Sequence, residues 1–376
     1  MEETVAAITA FLKGFARKGL PIMLLIVLGV SLEWLLLTNS SPLAVVAAIT
    51  GPLPTPSVHY QRPAFQTGIV FPQWGEQAYG KTDHNFAFGL GEIQQQTAAH
   101  WVEITVNLAQ AAPDATDVGS VSYTPTPQSI YEGIMRAHKM GYKVFIVPLI
   151  SVGQNIWSGY IHFGSLADAQ TWFANYWRAY APYIAAAQRA HADQVAIGTE
   201  LTMLEQEPAA LWNTLIAKAH ALYHGRLTYD MNWSTLDAPS PDWMRNPALA
   251  AIGVSEYLSL APKREHIAPA LLPGLWRSIV RRRLDLLALR VGKPVLISEI
   301  AYRNSADATF YPFKDTTPAP HDPIEQAAAY DAALQNVIAD PLIEGIYFWG
   351  WSVPTFEPNW LPAAQTLHHW YTSPLA

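Results

Sequence analysis

From about residue 65 to the C-terminus, short unbroken apolar runs alternate with longer stretches whose apolar positions recur three or four residues apart. The short runs predict eight strands: 66–71 (QTGIVF), 101–108 (WVEITVNL), 143–149 (KVFIVPL), 194–199 (QVAIGT), 226–231 (RLTYDM), 251–255 (AIGVS), 294–298 (PVLIS) and 345–349 (GIYFW). Runs apolar on both faces suit parallel strands covered by helices. The intervening segments predict helices over 126–140, 165–191, 208–220, 274–291 and 322–340. In the first, Ile130, Ile134 and Ala137 stand at helical spacing; the second opens on Ser165-Leu166-Ala167-Asp168, a capping-box signature. Gly141, Gly225 and Gly292 each fall between a helix and a strand, where a left-handed residue ends a helix at no steric cost. This alternation predicts an α/β fold, a closed (β/α)8 TIM barrel over residues 64–376. The rival, an open doubly wound sheet, usually carries a glycine-rich phosphate loop after its first strand, and the sequence has none there.

The N-terminal pattern differs. Residues 20–37 (LPIMLLIVLGVSLEWLLL) are almost wholly apolar, and this length is close to the minimum of roughly 17 for a spanning helix. Lys13, Arg17 and Lys18 precede the run, which predicts a cytoplasmic stretch 1–19 and places the bulk of the chain outside. Glu33 sits towards the outer end, where a carboxylate reaches the interface at lower cost than at mid-bilayer. Residues 38–63 are rich in Pro, Ser and Thr and read as a semi-extended linker. Two fates stay open: a retained transmembrane signal-anchor, or cleavage near Ala47 or Ala48 and a secreted barrel. The length of the apolar run favours the anchor.

Composition narrows the chemistry. Half the residues are hydrophobic and only 14% are charged, enough for a large core. A net charge of −7 without a broad basic surface argues against nucleic acid and fits a neutral ligand. The basic run Arg281-Arg282-Arg283 lies in a helical stretch and reads as a solvated face. With no cysteine there is no disulfide, thiol nucleophile or Cys-ligated zinc. The 12 histidines show no metal-ligand spacing, and His368-His369 reads as a surface pair, so neither metal nor cofactor is expected. Gly253-Val254-Ser255-Glu256-Tyr257 lacks the last glycine of a serine-hydrolase elbow.

In a parallel barrel the reactive groups sit at the C-terminal ends of the strands. The fourth strand runs into Glu200 and the seventh into Glu299. These strands lie on opposite sides of the barrel, so the two carboxylates can flank one bond. Glycosidic cleavage needs such a pair, one acid to protonate the leaving oxygen and one carboxylate to attack or to activate water; a gap of about 5–5.5 Å gives retention. The acid needs a raised pKa, which burial and a neighbouring carboxylate supply. The alternative is that both are ion-paired rim residues. Glu256, beside Tyr257 at the end of the sixth strand, either lines the cleft or has a structural role. Tyr257 is a candidate donor to the nucleophile.

The chain resembles the clan A glycoside hydrolases, and within them family 113, the β-mannanase-like barrels. The resemblance is carried by His100-Trp101-Val102-Glu103, Ala137-His138-Lys139-Met140-Gly141, Ile197-Gly198-Thr199-Glu200-Leu201 and Leu227-Thr228-Tyr229-Asp230-Met231-Asn232-Trp233. It continues through Ile252-Gly253-Val254-Ser255-Glu256-Tyr257, the segment from Pro294 to Arg303 and Gly345-Ile346-Tyr347-Phe348-Trp349-Gly350-Trp351. It implies Glu200 as acid/base, Glu299 as nucleophile and Tyr257 as hydrogen-bond donor to Glu299. Asn232 and Trp233 would line the sugar cleft and Trp349 would lie beneath the sugar at the cleavage point. Trp74 and Trp157 are candidates for outer sugar sites, and for all these tryptophans core filling is the competing role. Across the clan the residue before the acid/base is typically Asn; here it is Thr199, whose shorter hydroxyl reaches differently. The expected activity is that of a retaining endo-glycosidase on a β-linked, mannan-like polysaccharide. The competing expectation is a lapsed enzyme that only binds glycan at the cell envelope.

Overall fold

The computed structural model describes residues 64–374, apart from 82–83, 154 and 315–317. The predicted segments 1–19, 20–37 and 38–63 lie outside the described residues, save that the barrel is described from residue 64. Among the described residues no helix is long and apolar enough to cross a membrane.

Eight parallel strands close into one barrel in sequence order: β1 (Gln66–Val70), β2 (Trp101–Gln110), β3 (Lys143–Val152), β4 (Gln194–Thr199), β5 (Arg226–Asn232), β6 (Leu249–Glu256), β7 (Val295–Ile300) and β8 (Ile343–Trp349). Their outward residues, such as Val195, Ile197, Ile252 and Ile346, join helix residues such as Ile130, Trp172 and Leu334 in one core layer. The inward residues form a separate cluster that includes Val70, Phe145, Ala196, Leu296 and Tyr347. This two-sided burial is why the strands read as near-continuous apolar runs.

The covering helices are α1 (His84–Thr97), α2 (Pro127–Lys139), α3 (Leu166–Arg189), α4 (Ala209–Leu222), α5 (Leu272–Trp276), α6 (Arg282–Val291), α7 (Pro323–Val337) and α8 (Pro362–Tyr371). A π-helical turn at Arg277–Arg281 joins α5 to α6. Local chemistry sets their ends. Thr126 caps α2 through the Ser129 N–H, with Pro127 pre-set at the first turn. Ser165 caps α3 through the Asp168 N–H, and its hydroxyl donates back to the Asp168 carboxylate at 2.7 Å. Gly141 and Gly292 take the left-handed conformation expected of them. Gly225 does not: it is needed because a Cβ there would fall 2.2 Å from the Tyr223 hydroxyl, which donates to the Ala192 carbonyl.

The β5–β6 connection, where the sequence pattern named no helix, has only 3₁₀ turns at Trp233–Thr235 and Asp242–Arg245. Pro239, Pro241 and Pro247 explain this, since each lacks an amide donor. Trp243 covers that side instead, stacked on Trp212 at 4.2 Å and edge-on to Tyr229. The arginine run is not a solvated face. All three are half-buried, with Arg281 paired to Asp340 at 2.6 Å and Arg283 to Asp237 at 2.9 Å.

The barrel interior is polar at one end. Arg226 Nη2 donates to both oxygens of Glu344 at 2.6 Å, and Gln66 and Gln194 complete that network. The Tyr347 hydroxyl donates to Gln66 Oε1 at 2.6 Å and its ring joins the apolar interior cluster.

Candidate active site

Strand register positions the two carboxylates. On β4, Ala196 pairs with Thr228 of β5, yet Thr199 pairs with Asp230: three steps on one strand match two on the other. On β7, Leu296 pairs with Gly253 of β6 and Glu299 with Ser255, the same mismatch, and Ile297 and Ile300 against Ile346 and Phe348 of β8 repeat it. Each of β4 and β7 therefore carries one extra residue. Such a bulge breaks the in–out alternation once and re-aims the side chains beyond it. Ile297 and Ile300 both stay in the outer layer, which leaves Glu299 in phase with inward Ser255. Glu200 follows its bulge at a φ of 53°, in the left-handed region that a non-glycine residue seldom occupies; its amide is tied to the Asp230 carbonyl at 2.8 Å.

Glu200 and Glu299 line one cavity of about 310 Å³ together with Trp349, Thr199, the last four residues of β3 (Leu149 to Val152) and Asn155, Ile156, Trp157 and Ser158 beyond it. Both oxygens of Glu200 are held: Trp157 Nε1–H donates to Oε2 at 2.6 Å and Asn232 Nδ2–H to Oε1 at 2.7 Å. Glu299 Oε1 accepts from the Tyr257 hydroxyl at 2.5 Å. Burial pushes the Glu200 carboxyl upward, against the two N–H donors. Burial also pushes Glu299 up, to about 8, with the charge of Glu200 adding to the effect and the Tyr257 hydrogen bond opposing it. Asp230 is likewise raised to about 8, and Glu103 well above the ordinary range, both chiefly by burial. The neighbouring acids add to one another's upward shifts, since each carboxylate disfavours charge on the next.

The expected site residues mostly converge. Trp349 is partly buried and packs on both the barrel interior and the cluster of Tyr257, Ala301 and Phe356. Thr199 is buried, and its Oγ1 has no hydrogen-bond partner among the described residues. Trp233 is half-buried against the Tyr257 cluster, with its ring 5.9 Å from that of Phe313, and is not among the cavity-lining residues. Trp74 is 52% exposed and does not line that cavity either.

Two side chains have contacts the sequence pattern did not suggest. Asn232 was expected as a sugar-facing residue and Trp157 as an outer one, yet both donate directly to Glu200. A donor 43 residues from its acceptor leaves no spacing signal in the chain. Glu256 resolves as structural: it pairs with outward Ile300 and accepts from the Leu258 amide at 2.8 Å. Ligand atoms of His266, Asp322 and Glu325 lie within 4.8 Å of one another, away from this cavity. There Glu325 is bonded to His266 at 2.7 Å and Asp322 caps α7, which accounts for the grouping.

A family model described as Glycoside Hydrolase Family 113 matches residues 76–368, most of the barrel. The chain belongs to glycoside hydrolase family 113. It is therefore a glycoside hydrolase with a carbohydrate substrate. Among solved structures it is similar to a family 113 β-1,4-mannanase at 20% identity and a TM-score of 0.71, over 83% of this chain and 100% of that one. The β-mannanase AaManA from Alicyclobacillus acidocaldarius matches at 20% identity and a TM-score of 0.70, over 84% and 99%. A family 5 mannosidase from Rhizomucor miehei shares the barrel at 8% identity and a TM-score of 0.54, over 84% and 94%. Comparison with curated protein sequences gives no match. At these identities the solved structures speak to the fold, and the family 113 membership rests on the family model.

Proposed function

We propose that this family 113 glycoside hydrolase cleaves a β-linked, mannan-like polysaccharide with retention, using Glu200 as acid/base and Glu299 as nucleophile. The observation that carries the reading is the pair of bulged strands delivering both carboxyls to one cavity, Glu200 held by Trp157 and Asn232 and Glu299 by Tyr257. Family membership and the mannanase neighbours support the substrate class.

The chemistry follows from the groups. The Glu200 proton passes to the glycosidic oxygen as a Glu299 oxygen attacks the anomeric carbon; the C–O bond to the leaving sugar breaks and a glycosyl ester forms. Ionised Glu200 then takes a proton from water, whose oxygen attacks the anomeric carbon and releases Glu299. The charge of Glu200 pushes Glu299 up, so ionising both together is disfavoured, and the first step uses the form with the proton on Glu200. The Tyr257 donor favours charge on Glu299. The Trp349 indole offers an apolar platform for a sugar face, and Thr199 Oγ1 a hydroxyl for a sugar hydroxyl. We also propose that residues 20–37 anchor the chain with the barrel facing outside the cytoplasm, on the strength of the apolar run and the Lys13, Arg17 and Lys18 cluster.

The test is hydrolysis of a panel of β-mannans and β-glucans, with products resolved by chain length and the first-formed anomer read by proton NMR. The expected result is cleavage of mannan with the β-anomer first and a loss of at least about a thousandfold in Glu299→Ala. Binding without cleavage across the panel, or an α-anomer first, contradicts it.

A further inference from the structure

A second cavity, of about 320 Å³, opens on the outer wall between α1 and α8 and shares no lining residue with the first. It is lined by Gln95, Gln96, Trp360, Leu361, Gln365 and His368, among others. Trp360 is 69% exposed, whereas Trp172, Trp212, Trp243, Trp276 and Trp351 are fully buried. A lone exposed aromatic is ordinary. This one is held in place. Its φ is 58°, a left-handed backbone that a bulky residue occupies only when its surroundings enforce it. Its amide donates to Gln96 Oε1 at 2.7 Å, and Gln96 Nε2 in turn donates to the neighbouring Asn359 at 2.5 Å. Its indole N–H donates to Glu92 Oε1 at 3.3 Å. The ring is thus tethered at its polar edge while its faces meet solvent. Gln95, Gln365 and His368 stand exposed around it, offering amide and imidazole groups that both donate and accept.

We propose that this cleft is a second saccharide-binding surface for a neutral β-linked glycan chain, separate from the catalytic cavity. An indole face stacks on the C–H side of a pyranose, and carboxamides pair with hydroxyls in either sense. Among the described residues the cleft lining holds no carboxylate or ammonium, and the nearby Glu92 carboxylate is taken up by the indole N–H, which suits a neutral polymer better than an acidic or basic one. Fixing the indole beforehand lowers the ordering cost of weak stacking, as pre-organisation does generally. A polymer held there stays close to the barrel between cleavage events, so the surface acts on long chains and not on short ones.

The inference uses only the family's carbohydrate chemistry and not the roles of Glu200 and Glu299. The experiment runs the full-length chain carrying Glu299→Gln, with and without Trp360→Asn, through native gels containing glucomannan. Asparagine is chosen because it tolerates left-handed φ, and melting temperature checks that the variant folds. Gln365→Ala serves as a second, milder probe. The expected result is a fall of about tenfold in apparent affinity for glucomannan with Trp360→Asn and a smaller fall with Gln365→Ala. In the Glu299-containing chain, Trp360→Asn should slow hydrolysis of polymeric glucomannan while leaving hydrolysis of a mannotriose-sized substrate unchanged. Equal retardation with and without Trp360, or none at all, overturns the second surface. Trp360-dependent retardation in a chain that cleaves no glycan keeps the surface and removes the catalytic proposal instead.

Discussion

Glu200 has an unusual set of constraints for a single side chain: a left-handed backbone, burial, and an N–H donor on each oxygen. The donors favour its ionised form and burial opposes them. If Glu200 is the acid, its loss of a proton sets the alkaline limb of the pH–rate profile. Trp157→Phe keeps a ring in the cavity wall but removes the donor at Oε2, so the Glu200 carboxyl holds its proton more tightly. The alkaline limb of kcat/KM should move to higher pH, and the maximal rate should fall by about ten- to a hundredfold, the worth of a hydrogen bond to a charged group. A profile measured on a short mannooligosaccharide checks this; an unmoved or lowered alkaline limb refutes it. The sequence made Glu200 and Glu299 legible because each directly follows an apolar run. It left Trp157 and Asn232 legible only as candidates for sugar contact, because hydrogen bonds across a barrel mouth leave no trace in local spacing.

The strands were readable in position and kind because parallel strands buried on both faces are apolar throughout. Their ends were less so: β2 and β3 run on to Gln110 and Val152, beyond the predicted ends, because the two strands keep pairing through Ala109–Ser151 and Gln110–Val152 where polar residues interrupt the apolar run. The bulges in β4 and β7 were not legible at all. An extra residue exists only relative to a partner strand, and no single strand records it. α1 was missed because HNFAFGLGEIQQQT carries two glycines and a polar end, so its apolar face is thin. The sequence pattern names no helix in the β5–β6 connection and no α-helix forms there; its prolines disfavour one, and Trp243 does the covering. Trp243 is 1% exposed and stacked on Trp212. Trp243→Ala should therefore destabilise the barrel by about 3–5 kcal/mol, the usual cost of deleting a large buried aromatic. Denaturant unfolding measures it, and a change below about 1 kcal/mol would mean that the connection can collapse onto the gap.

For the whole molecule, the acids in and around the barrel tie stability to pH. Asp230 and Glu256 are each raised to about 8 by burial, from ordinary values of 3.8 and 4.5. Unfolded, they ionise near pH 4; folded, they keep their protons to about pH 8. Folding takes up protons across that window, so their stabilising contribution is complete below pH 4 and is lost as pH rises towards 8, by up to about 1.4 kcal/mol per unit for each group. Thermal unfolding should show a lower Tm at pH 8 than at pH 5, and Asp230→Asn should flatten the difference. A Tm that rises over the same window contradicts the sign.

The division of labour between the two carboxyls is tested most directly by trapping the covalent intermediate. The chain is incubated with a 2-deoxy-2-fluoro-β-mannosyl fluoride, which slows the release step, and the labelled peptide is located by mass spectrometry. The account predicts one mannosyl ester, on Glu299, and none in Glu299→Gln. A label on Glu200 or on any other residue would contradict it.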